Sequence, residues 1–501
     1  MSATAENLGK VAAGGVVYTA TSQALRQAIQ LGVTAVLARH LLPEDFGLIG
    51  MAAVTLAFVA PLNEMGMGAA LVQRKDLTPG HATAVFWAHI ALATAAALLL
   101  SACAPLIAGF FKRDELTPLL RLMCWNLPIG AAASAPSALL ARDMRFGQLA
   151  VCETISLTAA GLFGAVMAVT GWGVWSLAAQ ALAASVMTAL LLVPLSGLRP
   201  LSAHSRPTWR HLKDLAAFSA PLTGYQFLNF ASRNLDDILI GRFLGAGALG
   251  YYGMAYRVMM YPLQKVSGIV GRVSFPAFAS MQDDLTRIRR GYLRTVRYIA
   301  LVTFPMMAVV MVAAPEMTEV LFGPTWRPVA PLIAILSLAG MTGSIGTTVG
   351  SIFLARGRSD LMLKWEVVAS SCFTAAIIFG LQWGLTGVAV CYTVTALILW
   401  PLSHMIANRL IELPMREFFL ALAPQAILAA LPAAVLLAVR QLWMPVDAAS
   451  RIAFLVVCAV TGATVLAIAA FVGKPAAAAE ALALTRDTLA GLRPSRGRQT
   501  P

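Results

Sequence analysis

The stretch Arg39-His-Leu-Leu-Pro-Glu-Asp-Phe-Gly47-Leu-Ile-Gly50-Met51-Ala52 returns later in the chain as Arg242-Phe-Leu-Gly-Ala-Gly-Ala-Leu-Gly250-Tyr-Tyr-Gly253-Met254-Ala255, with Arg, Leu, Gly, Gly, Met and Ala in register. One such match could arise by chance in so biased a composition. Two more follow in the same order at nearly the same offset. Ser137-Ala-Leu-Leu140-Ala141-Arg142 matches Ser351-Ile-Phe-Leu354-Ala355-Arg356, and Trp172-Gly173 matches Trp383-Gly384. Three collinear matches argue for a duplicated unit.

The material between the matched points says what kind of unit. The chain is 59% apolar and 12% charged, with a mean hydropathy of +0.76. A soluble domain cannot bury that much apolar surface, whereas a bilayer is itself an apolar solvent for helices that satisfy their own backbone. Cutting at charged and Pro/Gly-marked breaks gives apolar stretches near 12–38, 46–72, 79–110, 116–141, 147–170, 172–197, 214–240, 248–277, 298–322, 328–355, 361–381, 384–408, 417–440 and 451–472. These are about fourteen spans, each long enough to cross ~30 Å of hydrocarbon. The expected class is an all-α integral membrane protein with a six-helix lobe over 1–197, a cytoplasmic linker over 198–213, a second lobe over 214–410, two further helices over 411–473 and a basic tail over 474–501. Two parallel repeats imply an axis along the membrane normal and a cavity between lobes that rocking opens to either side.

The formal charge of +14 would suggest nucleic acid in a soluble chain. Here the Lys and Arg residues concentrate on alternate connections: Arg74 and Lys75, Arg142 and Arg145, Arg199 to Lys213, five arginines between Arg287 and Arg297, Arg356 to Lys364, Arg409 and Arg416, and the tail. The other connections carry only Arg39, Lys112, Arg113, Arg242, Arg327, Arg440 and Arg451. That asymmetry places both termini in the cytoplasm and turns the charge into topology signals and contacts with membrane lipids, with no nucleic-acid partner. The six cysteines fall in apolar segments without C-x-x-C spacing and read as small core residues. No removable signal peptide is expected before the first span. Nucleotide-binding, metalloprotease and nucleophile-elbow motifs are absent and the outward loops are short, so the reading is not an enzyme and implies no cofactor or metal.

Charged groups inside a bilayer cost roughly 3 kcal/mol each on insertion scales, so those that persist normally face a cavity or a partner. In the first span Gln23, Arg26, Gln27 and Gln30 share one helical face. The repeat sets Gln226 opposite Gln23 and Asn229 opposite Arg26, and the seventh span continues that stripe through Arg233 and Asp237. In the eighth span Arg257, Tyr261, Lys265 and Arg272 fall within a narrow arc, a ladder of positive charge. The acidic residues noted in spans are Glu64, Glu153, Asp236, Asp237 and Glu366. A cationic cavity suits a phosphate-bearing, sugar-bearing cargo, since Arg forks match phosphate and amides match hydroxyls. The competing reading is structural: helix-to-helix ion pairs, Arg26 with Glu64 for instance, and snorkelling to headgroups. Glu64 and Asp237 are candidates for ion coupling or pairing. His89 reads as an inert core histidine more readily than as a proton relay. Trp172, Trp326 and Trp383 read as interface anchors.

At Arg39 to Gly50, at Asn234-Leu-Asp-Asp-Ile-Leu-Ile-Gly-Arg through Gly250-Tyr-Tyr-Gly-Met-Ala-Tyr-Arg257, and at Leu321-Phe-Gly323-Pro-Thr-Trp326, the chain resembles the polysaccharide transporter branch of the MOP exporter superfamily, the Wzx-like flippases. The resemblance covers about residues 10 to 410 and is specific to family, not to substrate. It implies a MATE-like fold in a bacterial inner membrane. It also implies translocation of undecaprenyl-diphosphate-linked oligosaccharide, a lipopolysaccharide or exopolysaccharide repeat unit, from the inner to the outer leaflet by alternating access. Arg26, Arg233, Arg257 and Lys265 are then the candidates for the diphosphate, with a polysaccharide polymerase and chain-length machinery as partners. The nearest alternative is a peptidoglycan lipid-precursor flippase. A MATE-type cation or drug antiporter is further off, because carboxylates would be expected to dominate its cavity.

Overall fold

In the computed structural model, isolated positions apart, residues 26–64, 78–198, 209–262 and 277–467 are described, and of the stretches 60–64 and 209–233 the backbone alone. Every regular element among them is helical. A helical stretch ends at residue 40 and is followed by α1 (Pro43–Glu64), α2 (Pro79–Phe111), α3 (Leu116–Met123), α4 (Asn126–Arg142), α5 (Phe146–Val169) and α6 (Val174–Leu195). Next come α7 (Trp209–Pro262), α8 (Leu285–Leu321), α9 (Val329–Ala355), α10 (Ser359–Gly380), α11 (Gly384–Leu410), α12 (Met415–Trp443) and α13 (Ala448–Val465). Helix α7 is two helices that meet at Gly245, whose φ of +87° no helix accommodates. By length and apolar content, eight segments among the described residues qualify as membrane spans.

Most helix bounds follow the apolar runs, as with 79–110 against Pro79–Phe111 and 328–355 against Val329–Ala355. The largest departure is α8, which begins at Leu285, well ahead of the apolar run from 298. Its extra turns carry Arg287, Arg289, Arg290, Arg294 and Arg297, while Ile288, Tyr292 and Val296 are buried at helical spacing. The charges read as loop, but the apolar residues between them make an amphipathic helix.

The duplication is written in the places where helices stop. Left-handed residues fall at Lys112 and Gly323, Met144 and Gly357, Gly173 and Gly384, and Gly197 and Glu412. Each pair is separated by nearly the offset of the sequence repeat, so equivalent helices of the two halves end on equivalent turns. Only the Gly members take that conformation without a steric cost.

The chain's contacts form two compact units. The first comprises Met1–Tyr256, Leu321–Leu332 and Ser370–Tyr392. Inside it the first repeat crosses the second. A Cβ on Gly47 would lie 1.7 Å from the Ala246 carbonyl oxygen, and one on Gly250 would lie 1.8 Å from that of Pro43. The repeat register that aligns Gly47 with Gly250 also aligns Pro43 with Ala246. Each half therefore makes on the other the contact it receives, as a two-fold axis requires. Only residues without a side chain permit so close an approach of two backbones. The pattern extends outward: Arg39 donates through Nε to the Leu321 carbonyl at 3.3 Å, and its counterpart Arg242 lies 5.4 Å over the Phe110 ring, at the corresponding helix end of the other half.

The second unit comprises Arg257–Val320, Ile333–Ala369 and Thr393–Pro501. Its core runs from Phe278 and Tyr292 through Phe353 to Phe418 and Phe454. At the C-terminal end of α8, Arg440 of α12 donates from Nε to Glu316 Oε1 at 2.8 Å, and Arg451 of α13 pairs with Glu319. Glu316 and Glu319 lie within the span 298–322 yet were missed among its acidic residues; they tie the two helices outside the repeat to α8.

Candidate functional site

The candidate residues distribute over both units, and each unit is taken separately. Gln23 and Lys265 lie outside the described residues, and Glu64, Gln226, Asn229 and Arg233 have described backbone only, all four in helix. In the second unit Arg257 is exposed and Tyr261, one turn further on, is half-buried. Of the ladder expected on the eighth span, Arg257 and Tyr261 are among the described residues, and Lys265 and Arg272 lie outside them.

In the first unit the initial helical stretch packs along α5. A Cβ at Gly161 would meet Val33 Cγ2 at 2.7 Å, and Leu37 shares a core with Ala168 and Leu177. Following both helices back toward their N-termini, that parallel pairing brings Arg26 to Glu153, and the two form an ion pair through Arg26 Nη1 and Glu153 Oε2. The pairing suggested by sequence, Arg26 with Glu64, is not the one formed, because helix neighbours are set by packing that no single sequence displays. Gln27 is half-buried and Gln30 exposed on the same stretch.

The position of Glu153 on α5 carries information. At about 100° per residue, the exposed apolar residues Val151, Ile155, Leu162 and Val166 share a narrow arc, the lipid-facing side. The buried residues Cys152, Ser156, Ala160 and Gly164 lie on the other side. Glu153 falls in the middle of that buried arc, roughly opposite the lipid face, yet its side chain is 51% exposed. Glu153 is thus an exposed carboxylate on the side of α5 that faces away from the exposed apolar arc. Arg26, 21% exposed beside it, uses one of its donors on Glu153, while its Nε is buried with no acceptor.

A second buried polar group was only half read from sequence. Asp236 is 7% exposed and accepts from Tyr252 Oη at 3.3 Å. Tyr252 stacks on Tyr256 at 5.7 Å between ring centroids, Tyr256 meets Tyr392 at 6.2 Å, and Phe373 lies 4.8 Å from Tyr392. Asp236 is among the acids that the sequence places within spans, whereas the tyrosine cage is a product of packing. Its Tyr252 and Tyr256 stand one turn apart on one face, which is a signal the sequence offered. Asp237, beside it, is half-buried. No group of three His, Cys, Asp or Glu side chains converges among the described residues in a way that could hold a metal ion.

Trp326 is not an interface anchor. It is fully buried, donates from its indole nitrogen to the Ala38 carbonyl at 2.7 Å, and sits edge-on to Phe46 at 5.1 Å and Tyr251 at 6.0 Å. Tyr251 in turn donates to the Thr325 carbonyl at 3.2 Å. The Gly323-Pro-Thr-Trp326 turn thus closes over the reciprocal crossing. Trp172 and Trp383, by contrast, stand out at 59% and 58% exposure, as interface residues do. His89 is buried. All six cysteines are free thiols; Cys124, Cys152 and Cys458 are buried, whereas Cys103, Cys372 and Cys391 are half-buried rather than core.

The sequence and the fold place this chain among known proteins. The model of a family described as "Polysaccharide biosynthesis protein" matches residues 36–331, more than half of the chain. The chain belongs to this family. It is a Wzx-like polysaccharide flippase of the MOP superfamily, a multi-pass bacterial membrane protein, and the family is one of transporters rather than enzymes. Its relatives include the teichuronic acid biosynthesis protein TuaB of Bacillus subtilis, 28% identical over 71% of this chain and 74% of that one. The lipopolysaccharide biosynthesis protein WzxC of Escherichia coli is 26% identical over 74% and 75%. The succinoglycan biosynthesis transport protein ExoT of Rhizobium meliloti is 29% identical over 69% of each chain. Among solved structures, the lipid II flippase MurJ in an inward closed conformation superposes with a TM-score of 0.70 at 14% identity, over 92% of this chain and 99% of that one. An inward-facing multidrug-resistance MATE transporter gives 0.61 at 15%, over 77% and 96%. At such identities the structures establish a shared fold.

Proposed function

We propose that this flippase carries an undecaprenyl-diphosphate-linked oligosaccharide, one repeat unit of a surface polysaccharide, from the inner to the outer leaflet of the bacterial inner membrane by alternating access. In this reading about fourteen spans form two six-helix lobes, 1–197 and 214–410, around a cavity, with both termini in the cytoplasm and two helices appended. The observation that carries it is the reciprocal crossing, Gly47 on Ala246 and Gly250 on Pro43. A two-fold contact of glycines between duplicated halves is what a pair of rocking lobes needs at one end: flat, side-chain-free and able to part. Cationic residues on the polar faces, Arg26, Arg233, Arg257 and Lys265, supply binding to the diphosphate, and Gln23, Gln27, Gln30, Gln226 and Asn229 supply amides for sugar hydroxyls. The names of the relatives, each tied to assembly of a different polysaccharide, support the cargo class.

The test is export in cells that lack the chromosomal copy. Cells without the protein are expected to lose surface polysaccharide and to accumulate the lipid-linked repeat unit where a membrane-impermeant oxidant cannot reach it; the restored protein moves it within reach. Normal polysaccharide with drug sensitivity instead would favour the antiporter reading, and arrested cell-wall synthesis the peptidoglycan one.

A further inference from the structure

We propose that Glu153 is an exchangeable counter-ion, which occupies Arg26 while the cavity is empty and yields the guanidinium to the diphosphate of the arriving cargo. The proposal rests on the glycolipid reading above and gives that site its release step.

Three observations lead to it. Glu153 lies on the buried arc of α5, opposite Val151, Ile155, Leu162 and Val166, and is nevertheless half exposed, so an incoming ligand can reach the pair. The depth agrees from both partners: Glu153 is seven residues beyond Phe146, ~10 Å along the helix, and Arg26 is thirteen residues before Arg39, ~20 Å from the opposite end. A pure packing device at that depth would be expected to close over its charges. The pair is also incomplete, because one Arg26 donor meets one carboxylate oxygen while Nε has no acceptor. A guanidinium presents a planar fork with more donors than this contact uses, and phosphate oxygens match that fork.

Exchange follows from charge. An unpaired cation inside a span is costly, so the empty carrier needs a resident anion. A monovalent carboxylate holds that place against neutral glycolipids and against other monoanions. A diphosphate brings more charge and more acceptor oxygens, and displaces it. When the cargo leaves, Glu153 returns and lowers the affinity again, which a carrier that must release its load requires. The device is asymmetric. Glu366 stands at the same place on α10, eighth in its helix and exposed, but the repeat puts neutral Asn229 where the first half has Arg26.

The test compares the parent with E153Q, R26Q and the charge swap R26E/E153R, each as the full chain. Binding of farnesyl diphosphate to protein purified in detergent is measured with farnesol as the reference, alongside thermal stability and export. E153Q is expected to bind farnesyl diphosphate about tenfold more tightly than the parent, with farnesol unchanged, the equivalent of roughly 1.4 kcal/mol of removed competition. R26Q is expected to lose the preference for the diphosphate. The swap restores an ion pair, and with it stability, but is expected to leave export defective. Equal affinities of E153Q and parent, or a swap that exports at the parent level, overturn the counter-ion and leave a structural bridge. A parent with no preference for farnesyl diphosphate over farnesol overturns the cargo reading itself, and the counter-ion with it.

Discussion

Trp326 concentrates the residue-scale physics. Its ring fills the space between Phe46, Tyr251 and Phe322, and its N–H satisfies the Ala38 carbonyl, one of the acceptors left open where the first helical stretch ends. W326F keeps most of the packing and loses the hydrogen bond, an expected cost of about 1 kcal/mol. W326A also leaves a cavity and is expected to cost about 3–5 kcal/mol, both read as unfolding free energies of the purified protein. The sequence could not place this residue, because tryptophans at span ends anchor in the interface by default and the partners here come from positions 38, 46 and 251. Glu316 is a second case. It is almost fully covered and holds Arg440, itself a third exposed. E316A is therefore expected to cost roughly 1–3 kcal/mol, below the figure for a fully buried pair because Arg440 keeps some water. Loss of α12 and α13 docking, seen as protease sensitivity after residue 410 with the rest protected, checks it.

At the scale of elements, the decisive contact is between glycines, and it was legible only in part. The repeat identified Gly47 with Gly250 and Gly50 with Gly253, but a sequence alignment states equivalence, not proximity. That the equivalent segments touch each other, and reciprocally, is a property of the packing. Gly47→Leu or Gly250→Leu cannot be absorbed, since even a single carbon lies under 2 Å from a backbone oxygen. If the crossing closes one face of the carrier, either substitution holds the halves apart and favours the opposite state. Gly50 and Leu249 lie side by side across the same contact, 3.3 Å from a Gly50 Cβ to Leu249 Cδ2. The double variant G50C/L249C is expected to form a disulfide under oxidation, to stop export, and to recover when reduced; each single variant should export throughout. Continued export by the fully oxidised double variant would show that the crossing never opens. Helix bounds were readable to within a few residues wherever an apolar run ended on charge or glycine. They failed at α8, where buried Ile288, Tyr292 and Val296 alternate with arginines and the charge masked the period.

For the whole molecule, the membrane class followed from composition alone, because no soluble fold accommodates 59% apolar residues at this length. The polar stripes named which faces matter but not what they face. Arg26 pairs with Glu153 instead of Glu64, and the ladder on the eighth span is described only at Arg257 and Tyr261. The last prediction follows from the sign of that ladder. A diphosphate is drawn toward cations and repelled by carboxylates, so R257E replaces an attraction with a repulsion at the place where the stripe begins. It is expected to reduce polysaccharide export at least tenfold while the protein remains inserted and at parental abundance, whereas R257K, which keeps the charge and loses the planar fork, is expected to retain a partial rate. Membrane abundance and surface polysaccharide, measured in the same cells, separate the two effects. Equal export by R257E and the parent would move the anion path off this face and leave Arg26 and Arg233 to carry it.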